Sequence, residues 1–264
     1  MPESPFESRP EYSNETLRQL HARKSVRAYD PARTISQEVK RQLLEAAVAA
    51  PTAGCMTLYT ILDITDQSVK DRLAILCDHQ PFIGSAPVVL VFLADWQRWY
   101  DSFIAAEDRP VRAPGEGDLL LAIADAVIAA QNVVVAAESL GLGSCYIGDI
   151  LENGEEVARL LNIPRLAVPA AMLCIGYPTR QQQLRDKPAR FALPCLVHEN
   201  AYHLADVPTL TAMHKERRPR KGFPESVRDL CESKWRTSFM AEMNRSAAVW
   251  LKRWVDGEEN GTPG

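Results

Sequence analysis

A short basic segment near the start of the chain has the residue types that bind a phosphate. Arg23, Lys24 and Arg27 surround Ser25 within a stretch of five residues. Alternate side chains of an extended chain point to the same side, so Arg23, Ser25 and Arg27 would present two guanidinium groups around one hydroxyl. This arrangement suits a terminal phosphate monoester, because guanidinium groups bind phosphate oxygens in pairs. A solvated basic surface is the more common use of such a cluster, and this alternative stays open.

Two later segments combine small residues with positions where the backbone could approach a ligand. The first is Ala-Pro-Thr-Ala-Gly at 50–54, directly after a predicted helix, where small side chains allow close contact with a planar ligand or a phosphate. The second is 141–149, where glycines flank Tyr146 and Ile147 in extended chain that could lie against an aromatic ring system. The alternatives are an ordinary helix stop for the first segment and a tight connection between helix and strand for the second.

Motifs of other chemistries are absent from the sequence. The segment 141–146 begins like a dinucleotide-binding fingerprint, but Tyr146 occupies the place of the third glycine and a predicted helix, not a strand, precedes it. There is no Walker loop, no nucleophile elbow and no HExxH, and the five histidines lack the spacing of metal ligands. We therefore predict neither a catalytic nucleophile nor a metal site.

The composition is that of an ordinary globular protein, with 46% hydrophobic and 24% charged residues. A formal net charge of -4 argues against a general attraction to nucleic acid or to anionic membranes. The six cysteines form no CxxC pair and mostly lie in apolar runs, as buried thiols do in a reducing compartment. The first eleven residues lack the apolar region of a secretory signal. We expect a soluble, cytoplasmic protein.

One long apolar segment, 119–137, predicts a helix that Asp118 caps and Gly141 ends. It is interrupted by three polar residues: Asp125, Gln131 and Asn132. Their burial in hydrocarbon would be costly, so a buried helix of a soluble protein is favoured over a membrane span. A helix that is apolar nearly all round must be covered by other elements or by a partner chain.

The spacing of apolar residues predicts the remaining elements. Helices are expected at 14–22, from Ser36 to Pro51, and at 69–77, 155–161 and 238–255. Strands are expected at 58–65, 87–94 and 170–177, extended chain at 143–150, and a mobile loop at 105–117. In the first helix, Leu17 and Leu20 are expected to pack inward.

These pieces, in this order, resemble the FMN-dependent nitroreductase family from about Arg23 to Tyr202. The resemblance rests on Arg-x-Ser-x-Arg at 23–27, Ala-Pro-Thr-Ala-Gly at 50–54, Gln-Pro-Phe-Ile at 80–83, Ala-Gln-Asn at 130–132, Gly-Leu-Gly at 141–143 leading into Tyr-Ile-Gly at 146–148, Cys-Ile-Gly-Tyr-Pro at 174–178, and Arg190. It implies an α+β fold with a nitroreductase-like central mixed sheet flanked by helices, built as an intertwined homodimer. The FMN-binding domain would cover 12–206. A C-terminal helical extension, 207–264, would pack on the same domain or on the partner subunit.

The resemblance also implies the residues of an FMN site at the subunit interface. The expected phosphate contacts are Arg23, Lys24, Ser25, Arg27 and Arg190, with Lys187 as an extra cation for the phosphate or for a nicotinamide cofactor. The expected ring contacts are Pro51, Thr52, Ala53 and Gly54, Gln80 at the flavin edge, and Tyr146, Ile147 and Gly148 along the ring. The chain departs from the family at Cys55 and Thr57, where members often have Asn and Gln.

The implied activity is electron transfer from NAD(P)H through FMN to small electron-poor acceptors such as nitroaromatics, quinones or flavins, by a ping-pong mechanism. One alternative is a different reductive reaction on the same fold, such as dehalogenation, or an enzyme that consumes flavin. Another is a flavin-binding or protein-interaction module without turnover. The basic run at 215–221 would then contact RNA or an acidic partner, but such runs are usually solvated surface. We expect no nucleic-acid or membrane partner.

Overall fold

A computed structural model describes residues 14–217 and 222–256 of the chain. Within them a four-stranded sheet is formed by β1 (Tyr59–Asp63), β2 (Val88–Asp95), β3 (Gly143–Ile147) and β4 (Ala167–Gly176). The strand order is β1-β2-β4-β3, and each neighbouring pair is antiparallel. The α+β prediction is confirmed, whereas the described strands form an antiparallel rather than a mixed sheet. Among the described residues, parallel pairing is limited to an isolated bridge between Ser25 and Ser144.

Eight helices lie entirely within the first of two compact units, whose described part comprises 14–185 and 245–256. They are α1 (Glu15–Ala22), α2 (Gln37–Val48), α3 (Gln67–Leu76), α4 (Pro81–Gly84), α5 (Gln97–Ala106), α6 (Glu116–Ser139), α7 (Gly154–Leu160) and α8 (Arg180–Leu184). The predicted N-cap of α2 is confirmed, because the Ser36 hydroxyl accepts the Val39 N–H at 3.2 Å. Helix α5 was not predicted.

The alternation of side chains along the strands divides the core between the two faces of the sheet. On one face, Val89 and Val91 of β2 join a cluster with α3, α7 and the buried Trp250 and Trp254. On the other face, Leu90 of β2 joins a cluster with α2 and α6. All eight residues of β2 are buried, which explains why its sequence is apolar from Val88 to Ala94.

Helix α6 begins one turn earlier than the sequence suggests. Gly115 is its N-cap, and the Asp118 carboxylate accepts the Gly115 N–H at 2.8 Å, so Asp118 belongs to a capping box and is not itself the cap. By length and composition, α6 alone among the described helices could cross a membrane, a test that core helices also pass. Here Ala126, Ala130 and Val133 are fully buried against the sheet and α2.

Apolar side chains of α1, and those on the side of α6 that faces away from the sheet, are more exposed to solvent than expected. Leu120 and Leu121 on α6 are 68% and 52% exposed. Leu17 and Leu20 on α1 are also exposed, so the prediction that they pack inward is wrong for the single chain. Their spacing correctly indicated one apolar side of α1, but among residues 14–217 and 222–256 that side has no complete cover.

The second compact unit comprises 186–217 and 222–244 in its described part. It contains α9 (Val207–Arg217), α10 (Glu225–Leu230), a π-helical turn at Cys231–Trp235 and the beginning of α11 (Ser238–Asp256). The remainder of α11 belongs to the first unit. Of the basic run at 215–221, residues 218–221 lie outside the described part of the chain. The predicted boundary between 206 and 207 stays a prediction.

Candidate functional site

The basic segment lies beside β3 in extended conformation. Ser25 pairs with Ser144 of β3, and the Val26 N–H donates to the Ser144 carbonyl oxygen at 2.9 Å. A Cβ atom added at Gly143 would lie 2.5 Å from the Val26 side chain, so glycine is needed there for the two segments to approach. The contact between these segments fixes the position of Ser25 between the two arginines.

The buried Cys145 thiol interacts with three residues of the basic segment, Arg23, Ser25 and Arg27. Burial raises the pKa of Cys145, and Arg27, Arg23 and Ser25 each oppose that increase through charge or hydrogen bonding. Within the described residues, the buried Arg23 Nε atom has no hydrogen-bond partner. All three residues thus act on the same buried thiol, and one guanidinium donor of Arg23 is left without a partner in the described part of the chain.

Lys24 is directed differently from its two basic neighbours. Its ammonium group donates to the backbone carbonyl of Gln183 at 2.7 Å and to that of Arg185. The Arg185 guanidinium in turn donates to the Ser25 carbonyl. Lys24 also borders a cavity of about 310 Å³ with Glu138. These bonds tie the basic segment to the end of α8.

The loop after α2 is held in an unusual conformation by a buried carboxylate. Asp125 of α6 accepts hydrogen bonds from the Thr52 hydroxyl, from the Ala53 N–H at 2.9 Å and from the Leu58 N–H at 3.2 Å. Pro51 precedes these contacts and, with Ala49 as the C-cap of α2, ends the helix. Asp125 was predicted only as a polar interruption of an apolar helix. That interruption was the signal for a buried, partnered carboxylate.

The same loop contains three residues with left-handed backbone. Their φ angles are +56° at Gly54, +59° at Cys55 and +53° at Thr57. A left-handed backbone is unfavourable for a β-branched residue such as Thr57. At the place of Cys55, family members often have Asn, which tolerates this backbone better. The Cys55 thiol is exposed, unlike the buried thiols of Cys77, Cys145 and Cys174.

Helix α5 holds the far end of the loop. The Arg98 guanidinium donates to the Thr57 carbonyl at 2.7 Å, and the Trp99 indole N–H donates to the Met56 carbonyl at 2.6 Å. Together with Asp125, these contacts fix the loop from two helices.

Gln80 is the N-cap residue of the short helix α4. Its side-chain amide donates to the Cys77 carbonyl at 3.0 Å, and its backbone N–H donates to the Ala74 carbonyl at 2.8 Å. The two preceding residues, Asp78 and His79, have positive φ angles of 56° and 50°. The side chain of Gln80 is thus engaged with its own turn in this structure.

The segment Tyr146–Gly148 offers its backbone rather than the Ile147 side chain. Ile147 is 1% exposed and packs into the core, whereas Gly148 is exposed and has open space where a Cβ would lie. The Tyr146 hydroxyl donates to Gln131 at 3.4 Å. Burial raises the pKa of Tyr146 to about 12, and the charge of Arg23 opposes the increase.

Lys187 and Arg190 lie in the second unit. Both side chains are exposed, and Arg190 donates to the Pro188 carbonyl at 3.3 Å. Their expected convergence with Arg23 and Arg27 stays a prediction. In the described part of the chain no group of three or more His, Cys, Asp or Glu residues could hold a metal ion.

The fold and these contacts define an α+β protein with a basic segment beside a strand and a small-residue loop fixed by a buried carboxylate. A family model described as "Nitroreductase family" matches residues 20–177. The chain belongs to the nitroreductase family, and the resemblance seen in the sequence is confirmed.

Curated relatives and solved structures agree with this assignment. The chain is 34% identical over 184 residues to a Cr(VI) reductase of a Pseudomonas species, covering 70% of this chain and 74% of that protein. It is 31% identical to an NADPH-flavin oxidoreductase of Vibrio harveyi, covering 72% and 75%. Nitroreductase A from Vibrio parahaemolyticus superimposes with a TM-score of 0.74 at 26% identity, covering 89% of this chain and 98% of that one.

Proposed function

We propose that this protein is an NAD(P)H-dependent FMN oxidoreductase that passes electrons to small electron-poor acceptors, namely nitroaromatics, quinones or flavins, by a ping-pong mechanism. Two relatives, each of which aligns with this chain over about three quarters of its own length, are named NADPH-flavin oxidoreductase and FMN reductase. The observation that carries the proposal is the basic segment with Arg23, Ser25 and Arg27, which pairs with β3 through Ser25 and Val26 next to the buried Cys145 thiol. This segment fits the phosphate of FMN.

The phosphate end of the cofactor would bind to this cationic group. A phosphate monoester has oxygens for both guanidinium groups and for the Ser25 hydroxyl, and charge-assisted bonds of this kind are the strong ones. The unused donor at Arg23 Nε fits the same ligand. Arg190 and Lys187 of the second unit would add further positive charge.

The ring would lie against backbone on two sides. Ala53 and Gly54 of the loop and the exposed Gly148 have no bulky side chains to separate their backbone from a planar ligand. Gln80 would turn from the Cys77 carbonyl to the ring edge. FMN supplies the redox chemistry when bound, and these residues bind and orient it.

A homodimer would complete the site. Leu120, Leu121, Ala124, Val127 and Ile128 recur at helical spacing on the exposed side of α6. The exposed Leu17 and Leu20 belong to α1, which packs beside α6. An apolar surface of this extent is typical of a protein interface. We propose that a second copy covers it and contributes to the flavin pocket.

The visible spectrum of the purified protein tests the proposal. FMN-loaded protein should be yellow, and anaerobic NADPH or NADH should bleach it; an added quinone or nitroaromatic should then restore the colour. Parallel lines in double-reciprocal plots would support the ping-pong mechanism. A yellow protein that neither pyridine nucleotide reduces would instead support a flavin-binding module without turnover. Protein that does not bind added FMN would contradict the proposal.

A further inference from the structure

Asp125 is one of the few polar residues in the core, and all its bonds go to a single loop. Its side chain is 3% exposed in the middle of α6. The three groups that donate to it belong to Thr52, Ala53 and Leu58, more than sixty residues earlier in the chain. A buried carboxylate needs such donors, because burial without them costs several kcal/mol.

These bonds act on the part of the loop that has the least favourable backbone. The Thr52 hydroxyl, while it donates to Asp125, accepts the Thr57 N–H at 2.7 Å. The left-handed residues Gly54 and Cys55 lie between these two anchored positions. Left-handed non-glycine residues cost on the order of 1–3 kcal/mol each and persist only where the surrounding structure holds them.

We propose that Asp125 is a positioning residue of the cofactor site, which holds 52–58 in the conformation that presents Ala53 and Gly54 to FMN. This inference rests on the proposed function. Asp125 does not reach the flavin in this scheme but acts through the loop.

The loop is also attached to α5, so an effect of Asp125 on the shape of the loop can be told apart from an effect on folding of the domain. Arg98 and Trp99 of α5 bind the carbonyl groups of Thr57 and Met56 without any contribution from Asp125. Loss of the Asp125 bonds should therefore change the shape of the loop near Gly54 while the loop stays attached to the domain.

The variant that tests this role is Asp125→Asn. Asparagine keeps the volume but turns an NH₂ donor toward groups that are themselves donors, so the three bonds cannot all form. The matched control is Asp118→Asn, seven residues earlier on the same helix. There the carboxylate also accepts a backbone N–H, that of Gly115, and it pairs with Arg112, far from the loop in sequence.

The measurements are FMN affinity by fluorescence titration, the visible circular dichroism of bound FMN, and thermal unfolding of the flavin-free protein. We expect Asp125→Asn to raise the Kd for FMN at least tenfold and to change the visible dichroism. Asp118→Asn should lower the unfolding temperature but keep the Kd within twofold of the unmodified protein.

Two results would overturn the positioning role: an unchanged Kd and dichroism in Asp125→Asn, or an equal loss of affinity in both variants. If Asp125→Asn does not fold, Asp125→Glu keeps the charge and displaces the carboxylate, and the same two criteria apply to it. Failure of the unmodified protein to bind FMN would instead refute the proposed function, so the two failures are distinguishable.

Discussion

The Ser246 hydroxyl accepts the backbone N–H of Gly154 at 2.8 Å and donates to the Leu151 carbonyl at 2.5 Å, which joins α11 to the start of α7. Ser246 is fully buried, and Trp250 lies one turn further along the same helix. A Cβ atom added at Gly154 would lie 2.8 Å from the Trp250 indole nitrogen. The described part of α11 from Arg245 to Asp256 is thus part of the core of the first unit.

Replacing Ser246 by Ala should therefore destabilise the first unit. The substitution leaves the Gly154 N–H without its acceptor in a buried place, which costs about 1–3 kcal/mol. Urea unfolding should show a lower midpoint with an unchanged slope. Ser233→Ala is the control, since Ser233 is exposed. Equal midpoints for Ser246→Ala and the unmodified protein would contradict this account.

Patterns that depend on near neighbours were predicted well from the sequence. The apolar run of β2 and the Ser36 cap follow from local sequence pattern alone. The partners of Asp125 did not follow, because no local rule joins a helix residue to a loop more than sixty residues away. Asp118 was misassigned because its partner is the backbone of Gly115, which the side-chain pattern does not reveal.

One other expectation that the structure does not bear out concerns α1. Leu17 and Leu20 have the spacing of a buried stripe, yet no element in the described part of the chain covers them fully. The expected contact of Ile147 with a ring stays a prediction: strand alternation directs its side chain into the core and leaves its backbone for a ligand.

The apolar side of α6 predicts how the protein assembles. Leu121→Glu should place a charge in the proposed interface and convert a dimer to monomers, as measured by light scattering coupled to size-exclusion chromatography. Leu184→Glu is the control, because Leu184 of α8 is even more exposed, at 72%, and lies on no such stripe. A dimer that survives Leu121→Glu would place the interface elsewhere.

The Glu155–Arg245 pair gives a prediction for acid stability. Two hydrogen bonds from Arg245, of 2.7 and 2.9 Å, lower the pKa of Glu155 from 4.5 to about 2. Because the folded-state pKa is depressed, the stabilisation is present above about pH 4.5 and is lost as the pH falls toward 2. Both side chains are more than a third exposed, so solvent screening limits the contribution to about 1 kcal/mol or less.

The variant Glu155→Gln should accordingly be less stable than the unmodified protein at pH 7 and equally stable near pH 2. Urea unfolding of both proteins across this range measures the difference. A gap that is constant with pH would mean that packing, and not ionisation of Glu155, accounts for the effect.

The proposed phosphate contacts can be tested with two flavins that differ only in that group. Arg27→Ala should weaken FMN binding about tenfold or more, because a hydrogen bond to a charged group contributes about 1.5–3 kcal/mol. Riboflavin lacks the phosphate, so its affinity should be the same in Arg27→Ala and the unmodified protein. Arg27 is exposed, and its removal should leave thermal stability nearly unchanged.

The control is Arg41→Ala, which removes an exposed arginine of α2 that pairs with Glu38 and Glu45. It changes the net charge by the same amount as Arg27→Ala and leaves the proposed site unaltered. Its affinity for both flavins should match that of the unmodified protein. If Arg27→Ala weakened riboflavin as much as FMN, Arg27 would act on the ring or on the shape of the segment. The phosphate would then bind elsewhere, and the role assigned to the basic segment would be wrong.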